Sequence, residues 1–259
     1  MRAVRSVAAG ITLPIVLIAI WWATTIDNTD PFIPEPRQLV DDFVNIWLKS
    51  LLWDQVLPSL TRLAVGLLSA VVGGIVLGVV IGSNRVVRKL LSPLLEFIRA
   101  VPPPVLLPVL LLLMGIDSSS KVFLIALGCL WPILLNTVDG VRSVDEVLSD
   151  TTRTYGISGW NRLRFFVLPA ALPRIATGIR LALPIAIILM VVSEMYAVTG
   201  GGLGSQIILF QRTFQNGPMW GGILVLGLLG VALALLFRVF ERSMLGWYHG
   251  QREAESNDR

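Results

Sequence analysis

Six long apolar runs, separated by short charged segments, constrain this chain more than any other feature. An α-helix needs about 20 apolar residues to cross the hydrocarbon core of a bilayer. With 54% hydrophobic and only 15% charged residues, the chain is too apolar for an ordinary water-soluble domain. We therefore predict an all-α, polytopic membrane protein with about six transmembrane helices. The predicted spans lie near Val7–Ile26, Leu63–Gly82, Ala100–Ile116, Val122–Val138, Leu181–Val198 and Gly221–Val239.

The distribution of basic residues predicts the orientation of these spans. If the N-terminus lies in the cytoplasm, most of the 21 Lys and Arg residues fall in segments on that same side. An excess of Lys and Arg marks the cytoplasmic loops of membrane proteins. We expect both termini, and the polar loop Ser143–Pro173, to be cytoplasmic.

The region after the first span predicts a helix that lies on the outer surface. Gln38–Lys49 is too short to cross a membrane, and its apolar residues share one helical stripe. Two interpretations are open: a linker helix packed on the spans, or a helix that contacts a partner protein. The stripe consists of Leu39, Phe43, Ile46 and Trp47.

The loop Ser143–Pro173 is the longest polar insertion between apolar segments. Ser143 and Glu146 have the spacing of a capping box, which predicts a helix starting at Val144. Gly156 is placed to end that helix, because glycine tolerates the left-handed cap conformation.

A second short helix is predicted after this turn. Ser158 can cap it, and its apolar face consists of Leu163, Phe166 and Val167. Pro169 and Pro173 then mark the return to the membrane. A helix–turn–helix with an apolar face at a membrane surface suits docking into a cleft on another protein.

The spacing within this loop resembles the EAA loop of binding-protein-dependent ABC importer permeases. That pattern is Glu-Ala-Ala, three residues, Gly, nine residues, Ile, one residue, Leu-Pro. Asp-Thr-Thr replaces Glu-Ala-Ala here, and Phe replaces Ile. The resemblance implies an ATPase-coupling loop formed by Asp150, Thr151, Thr152, Arg153, Gly156, Phe166, Leu168 and Pro169.

Other segments resemble the nitrate/sulfonate/taurine branch of these permeases: Ser59–Arg62, Gly74–Gly82, Ala100–Pro103, Ser193–Met195 and Gly202–Gly204. The resemblance implies a permease subunit of an ATP-driven importer in the bacterial plasma (inner) membrane. Its partners would be a second permease copy, two ABC ATPase subunits that bind ATP and Mg, and an extracytoplasmic solute-binding protein. The solute would be a small anion such as a sulfonate, taurine or nitrate.

The resemblance also implies three regions. Residues 1–62 hold an anchor helix and the external amphipathic helix, 63–245 form the permease domain, and 246–259 are a polar cytoplasmic tail. We expect no cofactor, metal or nucleic acid to bind this chain.

The third predicted span contains four prolines, Pro102, Pro103, Pro104 and Pro108. Proline interrupts helical hydrogen bonding, and lipid cannot satisfy the backbone groups that are left. Such backbone is tolerated where it is buried in protein or lines a watery cavity. We predict that these prolines lie at the translocation path, and the alternative is a kinked structural helix.

Glu194 is an acid within the fifth apolar run, where a charge is costly. It is either a cavity-facing group that shapes the path or gate, or a hydrogen-bonded structural acid with Arg62 as partner. Arg62 is otherwise expected to reach the lipid headgroups. Gly74, Gly78 and Gly82 predict close helix packing, within one subunit in preference to a dimer interface.

Two other functional classes are a stand-alone secondary transporter and a membrane-embedded enzyme. The first often shows paired repeats and several charges at the midplane, whereas Glu194 alone is evident here. The second needs a nucleophile and a base, or a metal, and Cys129 with His249 supply neither. The chain also has no Gly-x-x-x-x-Gly-Lys-Ser/Thr motif, so another subunit must bind any ATP that drives transport.

Overall fold

The structure is a computed structural model that describes residues 2–25, 32–144, 151–152, 154–196 and 200–246. Within these ranges the regular structure is helical, with no strand. The α-helices are α1 (Arg2–Thr25), α2 (Pro36–Asp42), α3 (Leu57–Ser83), α4 (Arg85–Ala100), α5 (Leu107–Met114), α6 (Ser118–Arg142), α7 (Gly159–Arg162), α8 (Leu168–Tyr196), α9 (Leu203–Arg212) and α10 (Asn216–Met244). Phe43–Ser50, Leu52–Val56 and Leu163–Val167 are π-helical, and Pro103–Leu106 is a 3₁₀-helix.

Four continuous helical stretches in the described residues are long and apolar enough to cross a membrane: Leu52–Ser83, Ser118–Arg142, Gly159–Tyr196 and Asn216–Met244. They contain the second, fourth and sixth predicted spans and the fifth as far as Tyr196, where the described residues stop. A bent pair, α4 with Pro103–Met114, makes a fifth when it is counted as one span. Helix α1 covers most of the first predicted run. A total of six spans stays a prediction.

The third predicted span, Ala100–Ile116, is wrong as a single helix. The axis turns by 81° between α4 and Pro103–Met114. Val101 and Pro102 are both extended at the break, with ψ of 117° and 125°. Proline disfavours the α conformation in the residue before it, and here three consecutive prolines enforce the turn.

Helix α4 was not predicted from the sequence. It starts at Asn84, whose side-chain oxygen accepts hydrogen bonds from the backbone N–H groups of Val86 (2.9 Å) and Val87 (3.2 Å). Basic residues alternate with apolar ones at helical spacing along it, and no residue of α4 is buried. These features are typical of a helix that lies in the membrane interface.

Helix α6 lies at the centre of the bundle, between α3 and α8. Its residues Leu124, Ile125, Cys129 and Ile133 are fully buried. Glycines of α3 allow the two backbones to approach closely: a Cβ on Gly74 would lie 2.8 Å from Ile133 Cγ2. The predicted packing of these glycines within one subunit is thus confirmed.

Gly78→Ala is expected to destabilise the bundle, because its Cβ would lie 2.5 Å from Thr137 Cβ and 3.0 Å from the Leu134 carbonyl oxygen. Overpacking of this kind costs about 1–3 kcal/mol. Thermal unfolding of the purified protein in detergent measures the effect. The matched control is Gly227→Ala, since nothing lies within 4 Å of the added Cβ. Equal melting temperatures for both variants would contradict this packing.

The segment 36–56 packs on α10, which confirms the linker-helix interpretation. Trp47 is fully buried, and its Nε1–H donates to the Pro218 carbonyl oxygen at 2.8 Å. The indole lies against Gly221 and Gly222. We call the end of the helix bundle that carries Ser143–Pro173 the loop end. The end that carries Arg62 and Glu194 is the opposite end.

Candidate functional site

A buried ion pair joins three helices at the opposite end. Glu194 of α8 is fully buried, and Arg62 of α3 is almost so. Arg62 Nη1 donates to Glu194 Oε1 at 2.8 Å. Arg62 Nε donates to Ser118 Oγ, at the start of α6, at 3.0 Å. The expectation that Arg62 reaches the headgroups is wrong, because a buried carboxylate attracts the guanidinium inward more strongly than the interface does.

The Glu194 carboxylate also binds the N-terminus of α9. The Ser59 hydroxyl donates to Glu194 Oε1 at 2.7 Å, and the Gly204 N–H donates to Oε2 at 3.0 Å. The Leu203 N–H donates to Ser59 Oγ at 2.8 Å. These N–H groups are the first in α9 and have no partner within that helix. Ser59 satisfies that of Leu203 and Glu194 that of Gly204, and the negative carboxylate is favourable at the positive end of the helix dipole.

The Gly200–Gly202 turn that precedes α9 is held by the same groups. Arg62 donates to the Gly200 carbonyl oxygen at 2.7 Å and to that of Gly201 at 3.0 Å. Lys121 Nζ lies 3.4 Å from the Gly201 oxygen. The Gly202 N–H donates to Gln55 Oε1 at 2.6 Å.

Position 202 accepts no residue other than glycine in this arrangement, for two reasons. Its φ is +131°, a region that favours glycine. A Cβ at this position would collide with the Glu194 carboxylate. The Gly200–Gly202 turn therefore sits directly on the ion pair, which links the start of α9 to α3 and α6.

This arrangement bears on the two interpretations of Glu194. Both carboxylate oxygens accept hydrogen bonds from protein groups, and the side chain has no exposed surface. A buried charge is tolerated when it is paired and hydrogen-bonded. The geometry favours the structural acid with Arg62 as partner; a path-facing role for Glu194 stays a prediction.

At the loop end, Gly156 adopts the left-handed conformation predicted for it, with φ +69°. The Ile157 N–H donates to the Thr152 carbonyl oxygen at 2.9 Å, which is the wide bond of a Schellman cap. Thr151 is exposed and Thr152 is buried. Asp150, Arg153 and the Glu146 of the predicted capping box lie outside the described residues, so the helix start predicted at Val144 stays a prediction.

The second short helix differs from its prediction at both ends. Ser158 precedes α7 but makes no side-chain capping bond. Pro169 and Pro173 do not interrupt the chain, because the helix continues from Gly159 to Tyr196. Pro169 lies within this continuous helix, and the π-helical Leu163–Val167 lies just before it.

Several loop residues that the resemblance implied face the bundle. Phe166 and Leu168 pack against a buried cluster of Val141, Val167 and Ile175. Pro169 is half-buried. Their contacts anchor the loop on α6 and α8.

The outward face of this loop is aromatic and was not singled out from the sequence. Tyr155, Trp160 and Phe165 are all strongly exposed. The Arg164 guanidinium lies 5.3 Å from the Phe165 ring centroid, in cation–π geometry. Tyr155 lies in the turn before α7, Trp160 in α7 and Phe165 in the π-helical segment after it. Exposed aromatic rings beside arginines are typical of protein docking surfaces. The three aromatic residues in an otherwise polar loop are the sequence signal from which this surface could have been predicted.

The proline segment packs on one side only. Pro103 contacts Gly128 of α6, and Leu107 and Leu110 are buried. Pro102 and Pro108 are exposed. The remaining exposed side chains of this segment are apolar: Val105, Val109, Leu112, Leu113 and Met114.

A polar cavity of about 430 Å³ lies at the opposite end, between α2 and the start of α10. Asp42 lines it, and its Oδ2 is buried with no hydrogen-bond partner in the described part of the chain. Burial raises the pKa of Asp42, and the neighbouring Asp41 charge adds to the effect.

The comparisons with known proteins agree with this architecture. The family model described as "binding-protein-dependent transport system inner membrane component" matches residues 70–246. The chain belongs to this family. It is 32% identical to the taurine transport system permease protein of Escherichia coli K12, over 95% of this chain and 92% of the relative. It is 32% identical to a putative aliphatic sulfonates transport permease protein of Bacillus subtilis 168, over 92% of this chain and 87% of the relative.

A solved structure has the same fold. The MetNI methionine ABC transporter, in an inward-facing conformation, superposes with a TM-score of 0.65 at 21% identity. The match covers 77% of this chain and 97% of the other. The protein is thus a multi-pass inner-membrane permease subunit of an ABC importer and is not itself catalytic. Family members work with ATPase and binding-protein partners.

Proposed function

We propose that two copies of this permease form the translocation path for a small solute with an anionic group, such as a sulfonate, taurine or nitrate. The names of its relatives support this class: taurine, aliphatic sulfonates and, at 32% identity over 73% of this chain, nitrate. The excess of Lys and Arg at the loop end supports an orientation with that loop and both termini in the cytoplasm. The permease domain comprises residues 63–245, between the 1–62 region and the 246–259 tail.

The exposed aromatic face of the loop carries the coupling proposal. Tyr155, Trp160 and Phe165 dock into a groove on an ABC ATPase subunit, while Phe166, Leu168 and Pro169 fix the loop to α6 and α8. Asp150, Thr151 and Arg153 complete the contact. The buried Thr152 supports the loop through the bond that its carbonyl oxygen accepts from Ile157, and Gly156 sets the angle between the two arms of the loop. Because Gly159–Tyr196 is one continuous helix, movement of the docked loop is transmitted along α8 to Glu194 and α9.

The translocation path is proposed to run along the face that carries Pro102, Pro103, Pro104 and Pro108. In a single copy this face is exposed, and a second copy packed against it would enclose the path between the two subunits. Glu194 supports the outer gate structurally: it holds α9 in place without presenting its charge to the solute. Arg62 and the α9 N–H groups neutralise the carboxylate, so a passing anion is not repelled.

Transport follows alternating access. ATP and Mg bound by the two ATPase subunits close that pair, which moves the docked loops and opens the path outward. A solute-binding protein then delivers the anion to the outer surface, where the cavity beside Asp42 offers a polar docking area. Hydrolysis returns the path to its inward-facing state.

Uptake by reconstituted vesicles tests the proposal. We expect ATP-dependent taurine accumulation only when this permease, its ATPase and its binding protein are all present. Methanesulfonate or nitrate should compete, whereas ethanolamine, which has the amine without the sulfonate, should not. Accumulation without the ATPase would instead support a secondary transporter, and competition by ethanolamine alone would contradict an anionic solute.

A further inference from the structure

A cavity of about 430 Å³ opens between α8 and α10 near the loop end. Three charged side chains line one end of it. Arg180 of α8 forms an ion pair with Glu241 of α10, and about 61% of the Arg180 side chain remains exposed. Arg238 is exposed and has no ion pair with the described residues. The three groups together carry one net positive charge.

The rest of the cavity wall is apolar. On α10 it continues from Arg238 through Phe237 and Ala234 to Gly230, and Ile187 of α8 lies opposite. Eight residues of helix separate Arg238 from Gly230, which is a rise of about 12 Å. Helix α8 starts at the loop end and α10 finishes there, so the apolar wall extends from the charged end toward the middle of the bundle.

We propose that this cavity binds an anionic phospholipid of the cytoplasmic leaflet. Arg238 and the free N–H groups of Arg180 contact the phosphate, and Glu241 orients Arg180. One acyl chain lies along the wall formed by Phe237, Ala234, Gly230 and Ile187. Basic pockets between transmembrane helices on the cytoplasmic side are suited to anionic headgroups. This inference depends on the proposed orientation for the leaflet but not on the transported solute.

Two other occupants fit the cavity less well. A small hydrophilic anion gains nothing from a long apolar wall, because that wall cannot replace its hydration. A second copy of this chain placed by a two-fold axis through the cavity would bring each Arg238 to its own equivalent, and like charges there repel. A lipid satisfies both the charged end and the apolar wall.

Lipid add-back to the detergent-purified, delipidated complex of permease and ATPase tests the site by native mass spectrometry. The probes are phosphatidylglycerol and phosphatidylcholine of the same chain length. Arg238→Gln should weaken phosphatidylglycerol binding about fivefold, as expected for one basic group at a membrane surface, and should leave phosphatidylcholine unchanged. Gly230→Leu should weaken both lipids by filling the apolar wall; its Cβ position is 3.6 Å from Ile187 Cδ1, an ordinary contact, so the helix is retained.

The matched control is Arg242→Gln, which removes the same charge one turn further along α10, outside the cavity lining. It should bind both lipids like the wild type. Phosphatidylglycerol binding that is equal in all variants would overturn the proposal. So would displacement of the lipid by glycerol 3-phosphate, nitrate or taurine, since that identifies a small-anion site. Absence of bound lipid from the wild-type complex would indicate that a second copy covers the cavity.

Discussion

Glu194→Gln is expected to lower the melting temperature of the permease by about 6–12 °C. Loss of one partner from a buried ion pair costs about 3–5 kcal/mol of stability, and 1 kcal/mol corresponds to a few degrees in a chain of this size. The neutral amide leaves the Arg62 charge buried and removes the anion at the N-terminus of α9. Thermal unfolding in detergent measures the change, and protease sensitivity of the Gly200–Arg212 segment reports local release of α9.

Two variants make this test specific. Asp139→Asn removes an acid from an exposed pair, in which Asp139 Oδ1 lies 3.9 Å from Arg142 Nη1, and should change the melting temperature little. Glu194→Gln combined with Arg62→Met should recover part of the loss, since the uncompensated charge is gone. If Glu194→Gln melts like the wild type but transports anions differently, the acid faces the path and the structural interpretation is wrong.

Trp160→Ala is expected to abolish solute-stimulated ATP hydrolysis while the chain stays abundant in the membrane. The Trp160 side chain is 67% exposed at the loop end, so its loss leaves the core intact. Tryptophan at the centre of a protein interface contributes at least about 2 kcal/mol, which corresponds to roughly thirtyfold weaker binding of the ATPase. Retention of the ATPase during purification and stimulated turnover are the two measurements.

The control for this variant is Trp53→Ala, a tryptophan that is 70% exposed on the segment before α3. It should change neither ATPase retention nor stimulated turnover. Gly156→Val should act in the same direction as Trp160→Ala, because a β-branched residue is strained at φ +69° and would redirect α7. Full ATPase binding by both loop variants would show that this loop is not the coupling element.

The long helices could be predicted from the sequence because the physics that forms them is local. An apolar run of about 20 residues in a bilayer must satisfy its backbone hydrogen bonds internally, and a helix does so whatever its neighbours are. The left-handed Gly156 follows in the same way from the chemistry of one residue. The pairing of Glu194 with Arg62 was one of two interpretations, since both charges lie in apolar runs near the same end of the bundle.

The tertiary structure decided which faces these helices present. Periodicity predicts an apolar face of Leu163, Phe166 and Val167, but the prediction that this face docks into another protein is wrong, since the face packs on Val141 and Ile175 of the same chain. Trp160 is left exposed. The prolines of the third run indicated irregular backbone, but the separate helix α4 and the 81° angle between it and Pro103–Met114 are known only from the structure. Arg62 alone would extend toward the lipid headgroups. It turns inward because α8 and the Gly200–Gly202 turn, far away in the sequence, bring a carboxylate and two carbonyl oxygens within hydrogen-bond distance.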